Sequence, residues 1–103
     1  AKELNKSGIG HFEHGSLEQA IQAIESALSF TPKHAALNLN LVQVLIKLYE
    51  QTQDSAMLIK AEYCLKQIKH IPAQHNQYRR MTALNKTLTK LFKKSNDQAG
   101  AKL

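Results

Sequence analysis

The side chains with chemical potential in this chain of 103 residues are few and scattered. A single cysteine, Cys64, can close no internal disulfide and belongs to no Cys-based zinc pattern. It falls among apolar positions at helical spacing, which suits a small core residue better than a nucleophile. His11 and His14 stand three apart, and His70 and His75 flank Pro72. Glu13 lies beside the first pair, but no third ligand stands at metal-site spacing, so no metal is expected. There is no Gly-rich phosphate loop, nucleophile elbow or arrangement of paired carboxylates. An enzymatic reading therefore has no residues to name, and neither catalysis nor a cofactor is expected.

What remains is the chemistry of recognition. Asn40, Gln43, Lys47 and Glu50 recur every three or four residues and form a narrow polar stripe on an otherwise apolar helix. Arg79, Lys86, Lys90 and Lys93 fall on one side of a later helix, with Arg80 and Lys94 nearby. Such a basic stripe suits phosphates or an acidic partner, although on a terminal helix it is more often simply the solvated face. Tyr78 and Phe92 lie nearer the apolar side, which leaves the stripe without aromatics for base stacking. Nucleic-acid binding through this face is the alternative reading, and protein or peptide binding is the leading one.

Charge is distributed unevenly along the chain. The formal total is +6, yet residues 1–50 carry four Lys against five Glu, a net of −1, and the remainder carries the excess of positive charge. An electrostatic partner is expected to meet the C-terminal half first. With 43% hydrophobic residues and only four Gly and two Pro, the composition favours one helical core over short strands joined by tight turns. Apolar stretches are too short for a membrane span, and the first residues lack the form of a signal peptide. A reducing, cytoplasmic setting is expected. The chain starts at Ala1, which suggests a fragment of something longer.

The elements that must position these side chains read as helices. Lys2 to His14 carries Leu4, Gly8, Ile9 and Phe12 at helical spacing, and Gly15 suits a helix end. Leu17 to about Phe30 has one apolar stripe of Leu17, Ala20, Ile21, Ile24, Ala27 and Leu28, preceded by the capping-box pair Ser16 and Gln19 and closed by Pro32. A third helix, about Ala35 to Gln51, is apolar on two sides and so expects neighbours on both. Asp54 or Ser55 caps a fourth, about Ala56 to His70, which buries Leu58, Ala61, Leu65 and Ile68 and ends at Pro72. A fifth, about His75 to Lys93, buries Tyr78, Met81, Leu84, Leu88 and Leu91. One helical domain over residues 1–94 is expected, with residues 95–103 too poor in apolar side chains to fold.

Two hairpins closed by Pro about 40 residues apart invite comparison with helical repeats. The segment LNKSGIGHFEHGSLEQAIQAIESALSFTP resembles a tetratricopeptide repeat (TPR): Gly8, Ala20, Ala27 and Pro32 match outright, while Leu4, His11 and Ile24 replace the usual aromatics. Small residues there let neighbouring helices touch. The second repeat, Ala35 to Pro72, departs from the pattern by an insertion around Gln51 to Asp54. The resemblance implies an all-α, right-handed solenoid of helical hairpins: about five helices, two hairpins and a capping helix.

TPR modules lay a peptide along the surface formed by the first helix of each hairpin. By that resemblance the groove carries Asn5, Ile9, Phe12 and Glu13, then Asn40, Gln43 and Lys47, then Asn76 and Arg80. Asn and Gln suit a peptide backbone, and Arg80 could fork onto a carboxylate. Asn40 and Arg80 are similar to two residues of the carboxylate clamp of some members, but Asn5 and Ile9 stand where Lys and Asn are usual, which argues against chaperone-tail binding. The segments LNLNLVQVLIKLYE and HNQYRRMTAL also resemble the TPR region following the receiver domain of some bacterial response regulators. That implies an output module of a two-component phosphorelay. Two repeats are short for an array, so stacking on a second copy is a further expectation.

Overall fold

A computed structural model describes the backbone of residues 17–101 and the side chains of residues 17–96. Among the described residues there are four helices and no strand: α1 (Leu17–Leu28), α2 (Ala35–Thr52), α3 (Ala56–Gln67) and α4 (Tyr78–Ala101). The expected opening helix, with Asn5, Ile9, Phe12 and Glu13, lies outside the described residues, as do His11, His14 and Ser16.

The central element is α2, which packs against α1, α3 and α4, while α3 also touches α4. Its two-sided apolar pattern explains why. Leu37, Leu39, Leu41, Val42, Val44, Leu45, Ile46 and Tyr49 are all buried, so the helix has neighbours around most of its circumference. Asn38 is buried as well, at 2% exposure, amid that apolar surface. From α1 come Leu17, Ala20, Ile21, Ile24 and Ala27, and from α3 Leu58, Ala61, Cys64 and Leu65. Ile68 and Ile71 complete the core from the turn that follows.

Boundaries depart from the sequence reading in instructive places. Helix α1 stops at Leu28, and Phe30 stands in the turn at 83% exposure. Helix α2 starts after His34, whose Nδ1 accepts from the Leu37 backbone N–H at 3.2 Å, and ends at Gln53 in the left-handed conformation. Asp54, rather than Ser55, supplies the side-chain cap of α3, its Oδ1 accepting from Ala56 N at 3.0 Å. Pro72 does not end α3: the helix already stops at Gln67, five residues earlier, and the chain turns through Ile68 and Ile71 with short i→i+3 bonds. The last helix begins at Tyr78 rather than His75, because residues 75–77 form a turn in which His75 Nδ1 accepts from Gln77 N at 3.1 Å. It continues to Ala101, beyond the point at Lys94 where its apolar pattern fades.

Helix α4 is also less buried than its pattern implied. Leu88, at 3% exposure, is its one fully buried side chain among the described residues. Tyr78, Met81, Leu84, Leu91 and Phe92 are half-buried against the core. Among the described residues its neighbours are α2 and α3, and the flank that carries Arg79, Lys86 and Lys90 is exposed.

Candidate functional site

The polar stripe of α2 and the start of α4 meet at Arg80. Its Nη2 donates to Asn40 Oδ1 at 2.6 Å and also to Gln43 Oε1, and its Nη1 donates to Gln77 Oε1 at 3.4 Å. Asn40 and Gln43 lie three residues apart on one face of α2, so their amides address the same point in space. Gln77 sits one turn before Arg80 and closes on it from the same chain segment. Two elements separated by about forty residues of sequence are thereby joined through one guanidinium.

The electrostatics of this junction are unusual. Arg80 is half-buried, and burial pushes its pKa below the ordinary guanidinium value. It remains protonated at neutral pH nonetheless. The ion pairs among the described residues are Glu25 with Lys60 at 4.0 Å and Glu62 with Lys66 at 3.3 Å. Both are exposed surface pairs of small energetic consequence. Among the described residues Arg80 has no such partner: the oxygens there that hold it belong to three neutral amides. A cation is therefore fixed in place and partly desolvated, and no described carboxylate neutralises it.

Of the groove residues predicted from sequence, the structure brings together Asn40, Gln43 and Arg80. Lys47 is exposed on α2, one turn beyond Gln43 along the same stripe. Asn76 is exposed but lies in the turn before α4, not on the helix where the sequence reading placed it. The side-chain oxygens of Asn40 and Gln43, which the sequence reading offered to a peptide backbone, accept from Arg80. Sequence reasoning missed Gln77. The signal was its position three residues before Arg80, at helical-neighbour spacing.

Arg79, Lys86, Lys90 and Lys93 are all exposed on α4. Their spacing places them on the side opposite the Leu84, Leu88 and Leu91 line. They form a solvated outer face, separate from the Arg80 junction. Among the described residues no group of three or more His, Cys, Asp or Glu could hold a metal ion. No described helix is long and apolar enough to cross a membrane. Burial, reinforced by nearby Glu25, pushes the Cys64 thiol up to about 11, which keeps it protonated. No family model, curated protein or solved structure matches the chain.

Proposed function

We propose that the chain is a non-catalytic, TPR-like interaction module, an output or scaffold part of a bacterial signalling protein, that receives a carboxylate-bearing segment of another protein on the face shared by α2 and α4. The observation that carries this reading is the Arg80 guanidinium, held by three amide oxygens and lacking a carboxylate partner among the described residues. A fixed, partly desolvated cation has already lost rotamer freedom and part of its hydration before a guest arrives. A carboxylate then gains a charge-assisted hydrogen bond at little further ordering cost. The position of α2, packed between α1 and α3 and touching α4, also suits a stack of helical hairpins.

The reading is tested by fluorescence anisotropy with a labelled extended peptide rich in Asp, Glu and Leu, against the same peptide with Asn and Gln in place of the acids. The acidic peptide should bind and the amide version should not. Arg80→Gln should weaken binding about tenfold or more, the size of a lost charge-assisted bond. A second reading follows from the four exposed cations on the outer side of α4, which would suit nucleic acid. Lys86→Glu, Lys90→Glu and Lys93→Glu together should leave peptide binding largely intact. If that triple variant abolishes binding while Arg80→Gln leaves it unchanged, the α2–α4 face is not the site.

A further inference from the structure

A second concavity lies away from Arg80, between α1 and α3. Asn38, Leu41 and Leu45, at i, i+3 and i+7 of α2, form its floor. Leu28 lines it from α1, and Ile59 and Tyr63 from α3. Its volume is about 540 Å³, within the span of small-molecule sites, roughly 300–1,000 Å³. Ile59 and Tyr63 are 63% and 66% exposed, an apolar rim that water must cover when the cleft stands empty.

One polar atom distinguishes this floor from a simple packing gap. Asn38 Nδ2 donates to Pro32 O at 3.0 Å and to His34 O at 2.9 Å. Both partners are carbonyl oxygens, so the nitrogen must face them and the amide cannot be turned round. Its Oδ1 accepts no hydrogen bond from any described residue. Every fully sealed side-chain polar atom among those residues does have a partner, so this oxygen is not sealed. Asn38 itself is 98% buried (2% exposed), and it lines the cleft. The oxygen is therefore an unpartnered acceptor opening into an apolar hollow.

We propose that the α1–α3 cleft is a binding site for an uncharged, mainly apolar small molecule carrying one N–H or O–H donor, which it directs at Asn38 Oδ1. Charge is balanced around it. Glu25 and Lys60 pair at the rim, and the Cys64 thiol on the wall is neutral because burial raises its pKa. An ionic ligand would find no counter-charge on the floor. The cleft's other uncharged polar side chains are those of Ser29, Tyr63 and Gln67, too few for the donor and acceptor per residue that an extended peptide would bring. A compact ring system with a single donor matches better. The site does not depend on the Arg80 reading, and either can fail without the other.

The probes are indole and indene, bicyclic rings of similar shape that differ in the N–H donor. Titration of the ¹⁵N-labelled chain should give saturable shifts with indole at the amides of Leu41, Leu45, Ile59 and Cys64 and at the Asn38 side-chain NH₂. Indene should bind about three- to tenfold more weakly, as expected for one lost neutral hydrogen bond. Asn38→Leu removes the acceptor but also unties Pro32 and His34, so a fold-neutral variant is needed beside it. Ile59→Lys, at an exposed position, should abolish indole shifts while leaving the thermal midpoint near that of the parent. Arg80→Gln should leave them unchanged. Equal affinity for the two rings, shifts centred elsewhere, or no saturation would overturn the proposal.

Discussion

Asn38 donates from one amide nitrogen to two carbonyls in different stretches of backbone, the α1–α2 turn at Pro32 and the start of α2 at His34. Replacing it with Leu keeps the branched shape at somewhat larger volume but leaves both carbonyls without that donor. Asn38→Leu should lower unfolding free energy by about 1–3 kcal/mol in urea titration, and a loss below about 0.5 would mean that water takes over the two bonds. Cys64 gives a prediction in pH. Its thiol titrates near 11 in the folded chain, above the ordinary value of 9.0, so the folded state holds its proton more tightly than the unfolded one. Stability from this group is constant below about pH 9 and declines as pH rises toward 11, because there the unfolded chain loses the proton first. The difference in stability between the parent and Cys64→Ala should shrink over that window and stay flat below it. The burial of Cys64 is visible in its helical spacing with Leu58, Ala61 and Leu65. That of Asn38 is not, because a lone polar residue in an apolar run looks the same whether it is tied to carbonyls or open to water.

At the scale of elements, the helices are set by apolar periodicity and their ends by local chemistry, and these two signals differ in reliability. The pattern of α2 is long and two-sided, and its start follows Pro32 closely. Its end depends on Gln53 at φ 59°, a conformation that a side chain with a Cβ disfavours. The Gln53 N–H donates to Tyr49 O at 2.7 Å and so finishes the helix. Gln53→Gly should therefore stabilise the chain by about 0.5–1 kcal/mol, measured as a shift in urea midpoint at unchanged slope. No gain would mean that the weak side-chain bonds from Gln53 Nε2 to Tyr49 O and Glu50 O offset the backbone strain. The end of α3 was misplaced from sequence because Pro72 is a conspicuous breaker. The chain leaves the helix earlier, where Ile68 and Ile71 can both drop into the core.

Across the whole molecule, α4 is attached by a shallow line of contacts. Leu88 alone is fully buried among its described side chains, and the Arg80 bonds to α2 supplement it near the helix start. Hydrogen exchange should be slowest in α2 and much faster in α4 beyond Leu91. Leu88→Ala should lose about 2–4 kcal/mol and remove protection from α4 before α1 to α3. Uniform loss of protection across all four helices would instead show that α4 is integral to one cooperative unit.

The sequence alone determined that the chain is helical, which faces of its helices are apolar, and that the amides of Asn40 and Gln43 share one helix face. These features depend on spacing along one helix, and spacing is local. The tertiary structure decided that Arg80 grips Asn40 and Gln43 across forty residues, that Gln77 joins them, and that α1 and α3 stand apart over Asn38 to leave a hollow. Each of these depends on the distance and rotation between helices. Those are set by how the whole core packs, and no run of residues read in order contains them.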